Sequence, residues 1–320
     1  MEDVIIFSSQ GFSERGTEVA LYDYAHYNEL LLNNKSIITQ PFDFKNSYDI
    51  DVTKKFNNRF IVEYFKNQDE LDNIVVKYNA KYRYEMKFGL NDSLLTTKAK
   101  NLIHCVFDLS QPHGDKYIAI SEWLSNKKSS GKIPFVSYMI DLPEINENLR
   151  TKLNIPLDAI VFGRYGGFND FNVHFVYNVI QKILKEKNNI YFLFMNTQEF
   201  LKHPNIIYLS KNIDLDFKVK FINTCDAMLH ARLNGESFGL ACGEFSIKNK
   251  PIITWNGGLD AAHLDILGEK ALIYNNAHDL YDIINSIKEL ISLYDNWDCY
   301  SNKFNPNTIM KRFKEVFLDD

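Results

Sequence analysis

Two carboxylates, Glu236 and Glu244, bracket a run of small residues in the stretch Gly235-Glu-Ser-Phe-Gly-Leu-Ala-Cys-Gly-Glu244. A strand ending near His230 is expected to lead through Ala231-Arg-Leu-Asn-Gly235 into a helix that starts near Phe238 or Gly239. The residues of its first turn, Gly239, Ala241, Cys242 and Gly243, are small. A ligand can therefore approach the helix end, where backbone N–H groups have no partner within the helix. A diphosphate suits that end, and the flanking carboxylates can accept hydrogen bonds from sugar hydroxyls. Acceptors on either side of an anion site describe a nucleotide sugar. The same pair also fits solvated charges near a helix amino terminus, where the macrodipole favours them.

Two further loops invite inspection, because ligands of open parallel sheets bind at the carboxyl ends of the strands. Gly163-Arg-Tyr-Gly-Gly167 is expected to follow a strand directly. Its glycines permit close backbone approach, and Arg164 offers a forked donor suited to phosphate oxygens. It matches neither the dinucleotide fingerprint nor a Walker loop. The other loop, Gly11 to Thr17, runs from the first strand into a helix. There Gly16 and Thr17 can present N–H groups to a phosphate, although the segment also reads as an ordinary strand-to-helix turn.

Other polar residues carry less. The triplets Asp49-x-Asp51 and Asp214-x-Asp216 resemble a metal motif, but such triplets are frequent by chance, and no metal site is expected. His104 lies in the apolar run Asn101–Phe107, where a histidine is ordinarily a satisfied core residue. His113 follows in Gln-Pro-His-Gly-Asp. Gly257, Gly258 and His263 follow a later strand and could close a sugar pocket.

The elements that would position these residues alternate between strand-length apolar runs and helical periods, so the fold class is α/β with parallel sheets. Strands are expected at 4–7, 36–38, 60–62, 101–107 and 117–121 in the first half. The second half repeats the grammar, with strands at 159–162, 190–195, 206–209, 227–229, 252–254 and 271–274 and an amphipathic helix at 173–184. Pro143 and Pro156 are expected to bracket a short polar helix at the boundary. After Pro306, Ile309, Met310, Phe313, Val316 and Phe317 share one helical face that must pack on something.

With 320 residues, 45% of them hydrophobic, the chain can bury two cores of roughly 150 residues each. A formal net charge of -5 argues against binding nucleic acid through a broad basic surface. The amino terminus lacks the order of a signal peptide, and no apolar run reaches the roughly 18 residues of a spanning helix. A soluble, cytoplasmic protein with at most peripheral membrane contact is expected. Cys105, Cys225, Cys242 and Cys299 are widely spaced, which suggests reduced thiols.

The seven residues separating Glu236 from Glu244, with Ser-Phe-Gly-Leu between them, resemble the E-x7-E motif of retaining GT-B glycosyltransferases, family 4 in particular. Ser13 to Gly16 resembles their Gly-Gly-x-Glu-Arg turn, and Gly163-Arg164 their Gly-Arg after the first strand of the second domain. The resemblance implies two Rossmann-like domains facing each other across a cleft. Residues 1–140 would bind acceptor, 141–304 the nucleotide-sugar donor, and 305–320 would form a helix crossing back to the first domain. By this likeness Glu244 holds the donor ribose, Glu236 contacts the transferred sugar, and the stretch Ser237, Phe238, Gly239 and Leu240 binds the diphosphate through its N–H groups. Gly16 and Gly163 would line the donor, and Arg164 would neutralise a phosphate. The lysine that usually follows that arginine is replaced by Phe168-Asn-Asp170, so Arg232 is expected to supply the second positive charge. A first-domain histidine faces the donor sugar in similar enzymes, and His104 is the first choice here, His113 the second.

The implied activity is hexosyl transfer, EC 2.4, from a UDP- or GDP-sugar to a glycan or lipid-linked acceptor, with retention, without a metal, and in polysaccharide biosynthesis. Nucleotide-sugar 2-epimerases share the fold, and a non-catalytic nucleotide- or glycan-binding protein is the remaining alternative.

Overall fold

The computed structural model describes residues 3–319. The chain divides into two compact units, Met1–Met139 with Lys303–Asp320, and Ile140–Asn302. Each is built on a six-stranded, wholly parallel sheet covered by helices.

The first unit contains β1 (Val4–Ser8), β2 (Lys35–Pro41), β3 (Ile61–Phe65), β4 (Tyr82–Lys87), β5 (Lys100–Cys105) and β6 (Lys116–Ala119). Their spatial order is β3-β2-β1-β4-β5-β6, so the chain reverses its direction of travel between β1 and β4. Helices α1 (Gly16–Leu32), α2 (Ile50–Arg59), α3 (Gln68–Lys77) and α4 (Glu122–Ser129) belong to the same unit.

Sequence reading expects five strands here, and β4 is the one it misses. Its sequence, Tyr-Arg-Tyr-Glu-Met-Lys, alternates aromatic or apolar residues with charges, which suggests one face in water. Every residue of it is buried. Arg83 is 0% exposed and lies 3.0 Å from Glu85, Glu85 lies 3.6 Å from Lys87, and Lys87 lies 2.6 Å from Asp92. Charges can enter a core when each meets an opposite charge, and spacing along the chain does not reveal that pairing.

The second unit contains β7 (Ile160–Tyr165), β8 (Ile190–Met195), β9 (Ile206–Leu209), β10 (Ala227–His230), the two-residue β11 (Gly235–Glu236), β12 (Ile252–Trp255), the two-residue β13 (Asp260–Ala261) and β14 (Ala271–Tyr274). Its helices are α5 (Phe175–Glu186), α6 (Leu215–Thr224), α7 (Leu240–Ile247), α8 (Ala262–Leu267), α9 (Ala277–Asn285) and α10 (Ile287–Ile291). The main sheet runs β14-β12-β10-β7-β8-β9, with the reversal between β7 and β10, while β11 and β13 pair separately. Helix α5 shows why the periodicity is legible: Val176, Val179, Ile180, Ile183 and Leu184 recur every three or four residues and are all buried.

The polar helix expected between Pro143 and Pro156 does not form. The segment is irregular and is held instead by Arg150, whose Nη1 donates to the carbonyls of Pro156, Leu157 and Ala159 at 2.8–3.2 Å and whose Nη2 meets Asp226 at 2.8 Å. A single turn, in which the Leu153 N–H donates to the Leu149 carbonyl at 2.9 Å, is all the helical structure it forms, as an isolated turn does not propagate without further support.

The chain ends in α11 (Ser301–Phe304) and α12 (Pro306–Phe313), followed by a wider turn through Leu318. Ile309, Met310, Phe313 and Phe317 are buried in the first unit, where Phe313 and Phe317 pack on Tyr84 with ring centroids 5.4 and 5.5 Å apart. Among the described residues no helix is long and apolar enough to cross a membrane.

Candidate functional site

In the second unit the reversal between β7 and β10 brings two loops together at the carboxyl ends of those strands. A doubly wound sheet opens a crevice at such a point, because its flanking connections leave in opposite directions. One loop follows Tyr165, and the other runs from Ala231 to Glu236. They are tied together: the Asn172 N–H donates to the Ala231 carbonyl at 2.9 Å, and the Leu233 N–H to Asn172 Oδ1 at 2.8 Å.

Strand β7 continues two residues beyond Gly163, which corrects two expectations. Gly163 is a strand residue whose missing side chain makes room for Cys225, since a Cβ there would meet its Sγ at 2.2 Å. Arg164 is buried and points its guanidinium at protein acceptors, the Thr197 hydroxyl at 2.6 Å, the Asn196 carbonyl at 3.2 Å and the Gly167 carbonyl at 2.8 Å. Burial lowers its pKa to about 10, which leaves it cationic near neutral pH. It fastens the turns that rim the crevice, in place of the free phosphate fork expected from sequence.

Glu236 lies at the other rim. Gly235 makes its position attainable: its φ is +66°, and a Cβ would fall 1.9 Å from the Asp260 carbonyl oxygen with which β11 pairs. The Glu236 carboxylate accepts from His230 Nε2 at 3.2 Å and Arg232 Nη1 at 3.0 Å. Burial alone would raise its pKa, but the His230 hydrogen bond and the Arg232 charge outweigh it and hold the group at about 2. Glu236 is therefore an ionised acceptor throughout the neutral range.

After the buried Ser237 and Phe238, Gly239 takes a φ of +89° and caps α7 without a side-chain hydrogen bond. The helix begins at Leu240, one or two residues later than expected. Helices α2, α3, α4, α6, α9 and α12 each start on an Asp, Asn or Ser that caps the first turn. In α7 no side chain does so, and a Cβ on Gly239 would lie 3.5 Å from that of Glu236. The uncapped helix start leaves backbone N–H groups able to donate to an anion, and the ionised carboxylate beside it can accept from hydroxyl groups.

Glu244 is buried on α7 with both oxygens engaged, Oε2 by the Tyr165 hydroxyl at 2.5 Å and Oε1 by Lys218 Nζ at 2.7 Å. Each carboxylate oxygen has a second lone pair and can still accept from a ligand. Arg232, expected as the compensating charge, is shared between Glu236 and Asp170, 3.5 Å away. Lys218 on α6 is the cation beside Glu244, and sequence reading misses it. Its signal is a lysine sharing a helical face with the buried Phe221 and Ile222.

This fold of two parallel-sheet α/β units matches solved structures. The chain aligns with a glycosyltransferase from Rickettsia africae ESF-5 over 100% of both chains, with a TM-score of 0.72 and 16% identity. It aligns with Anabaena HepE in complex with UDP-glucose over 98% of each chain, with a TM-score of 0.75 and 14% identity. The fold is GT-B. A third likeness, to a putative UDP-N-acetylglucosamine 2-epimerase from Listeria monocytogenes, has a TM-score of 0.65 and 10% identity and covers 100% of this chain and 98% of that one. No protein-family model and no curated protein sequence matches the chain.

Gly16 is the first residue of α1, whose amino end also lacks a side-chain cap. Two residues on, Glu18 is buried and takes a 2.6 Å hydrogen bond from Ser13, and desolvation raises its pKa to about 7. His104 departs from the expectation of a ligand-facing residue. It is fully buried, its Nδ1 meets the Tyr84 hydroxyl at 2.6 Å, and its Nε2 meets the Val136 carbonyl at 2.8 Å. Both ring nitrogens are spent inside the core, and burial lowers the pKa to about 4. His113 donates from Nδ1 to the Gln111 carbonyl at 2.6 Å and packs its ring on Tyr117.

The Asp-x-Asp triplets are helix caps. Asp49 accepts from the N–H groups of Asp51 and Val52, and Asp214 from that of Phe217. Gly258 packs its backbone on Gly235, with 2.7 Å from its Cβ position to that Cα. His263, at the start of α8, approaches Gly239.

Proposed function

We propose that the protein is a glycosyltransferase moving a sugar from a UDP- or GDP-sugar to a glycan or lipid-linked acceptor, with retention and without a metal. The observation that carries this reading is the ionised Glu236 beside the uncapped start of α7, at the sheet reversal between β7 and β10. In this reading the N–H groups of Gly239, Leu240 and the following turn hold the diphosphate, and Glu244 accepts from the ribose. Glu236 accepts from hydroxyls of the transferred sugar. Its negative charge also favours the oxocarbenium-like sugar that forms as the C–O bond to phosphate breaks. The helix dipole of α7, with Lys218 behind it, stabilises the departing diphosphate. Anabaena HepE, a GT-B protein solved with UDP-glucose, supports the choice of donor class.

Four unpaired cysteines fit the reducing cytoplasm as the place of action, and transfer to a glycan or lipid-linked acceptor would serve polysaccharide biosynthesis. Residues 1–140 are assigned to acceptor binding, 141–304 to donor binding, and 305–320 to the closing helix.

Calorimetry with a panel of nucleotides and nucleotide sugars tests the reading. Binding of a uridine or guanosine diphosphate species that Glu244→Ala weakens is expected, as is transfer that Glu236→Ala abolishes. No binding to the parent protein would overturn it. The likeness to the putative 2-epimerase sustains a second reading, for which release of a free epimerised sugar without acceptor would decide.

A further inference from the structure

Behind Glu236 runs a chain of buried polar groups that no sugar or phosphate needs to touch. His230 ends β10, and Thr254 is its register partner on β12, so their side chains share one face of the sheet. His230 Nδ1 lies 3.0 Å from Thr254 Oγ1, and the same oxygen lies 2.8 Å from His263 Nε2. His230 Nε2 then reaches Glu236. Thr254 is 0% exposed, His263 1% and His230 4%, so water does not supply substitutes for these bonds.

Hydrogen accounting allows little freedom. An ionised carboxylate can only accept, so His230 Nε2 carries a hydrogen. If His230 is neutral, its Nδ1 is an acceptor and takes the single hydroxyl hydrogen of Thr254. The Thr254 oxygen then accepts from His263, which must hold its hydrogen on Nε2. The reverse order needs a cationic His230 beside the Arg232 guanidinium that shares Glu236, and strands a buried Nδ1–H on His263. His263 itself stays neutral, because burial pushes its pKa down to about 3.

The geometry assigns His230, Thr254 and His263 as positioning residues that hold Glu236 through one directed hydrogen-bond chain, with both imidazoles protonated on Nε2 only. This rests on the proposed role of Glu236, yet the chain itself can be observed without any turnover. A carboxylate locked on one side by Arg232 and on the other by a ring of fixed tautomer keeps its remaining lone pairs aimed in one direction. That is what contact with a reacting sugar requires.

Long-range 1H–15N spectra of the full chain, labelled at histidine, read the tautomers directly, with single His→Gln variants for assignment. His230 and His263 are each expected to carry one hydrogen, on Nε2, at pH 7. Thr254→Val, close in shape, removes the link and is expected to mix the tautomers of both rings, whereas Thr254→Ser keeps them. With a working donor, Thr254→Val should lower kcat about tenfold with donor KM nearly unchanged, and Thr254→Ser should restore it.

A doubly protonated His230, or an Nδ1–H on His263, in the parent protein overturns the assignment. So does unchanged kcat in a Thr254→Val protein whose tautomers have mixed. If no donor is turned over while the expected tautomers are seen and respond to Thr254→Val, the function proposed above fails and the chain stands.

Discussion

Lys218 Nζ lies 2.7 Å from Glu244 Oε1, with the two side chains only 11% and 8% exposed, so a buried ion pair joins α6 to α7 directly behind the candidate anion site. A pair this deep is costly to break from one side, because the remaining charge has no solvent to receive it. Lys218→Met is expected to destabilise the second unit by about 3 kcal/mol. Combining it with Glu244→Gln should recover part of that loss. Thermal melts of both variants check the order, and a double variant no better than the single one would show that the charges do not depend on each other. Nucleotide affinity should fall in both, since the positive charge behind the helix start is gone.

Glu236→Gln keeps the shape of the side chain and removes its charge. The amide can still accept from Arg232, but the negative charge proposed to face the sugar is lost. Turnover should drop by about two orders of magnitude, with a smaller change in donor KM. Because the parent carboxylate is held at about 2, the rate should show no acid limb from this group between pH 5 and 8. Steady-state kinetics across that range measure both effects.

His104 is neutral in the folded core, with a pKa of about 4 against 6.5 for a free histidine. Below pH 6.5 the unfolded chain gains a proton that the folded chain refuses, so stability falls as the pH drops and the loss levels off below about pH 4. The full effect is about 3 kcal/mol, and His263 acts with the same sign. His104→Gln should lower the Tm at pH 7 and flatten the acid slope. An unchanged slope between pH 7 and 4.5 would contradict the assignment of His104 as a buried neutral group.

Glu18 behaves in the opposite sense. Its folded pKa of about 7 lies above the ordinary 4.5, so the folded state keeps a proton that the unfolded chain releases. Its stabilising contribution is complete below pH 4.5 and is lost as the pH rises through 7. Glu18→Gln should therefore be relatively more stable at pH 8 than at pH 5, when each is compared with the parent protein by Tm. Carboxyl carbon shifts of Glu18 titrating near pH 7 would report the same event.

Sequence alone determined the class, the two parallel-sheet units and the segment worth attention. Apolar runs at β7, β8 and β10, the period of α5 and the small residues around Gly239 are local signals, and local signals survive in one dimension. Pairing across the fold does not. Whether Arg164 faces a ligand or the Thr197 and Gly167 oxygens, whether His104 is exposed or locked between Tyr84 and Val136, and which cation meets Glu244 were decided only by tertiary packing. Strand β4 was hidden for the same reason, its three charges being neutralised by one another and by Asp92. The glutamate pair was legible as a motif. Its asymmetry, with Glu236 aligned by His230 and Arg232 and Glu244 by Tyr165 and Lys218, arises because burial forces each carboxylate to find its own partners.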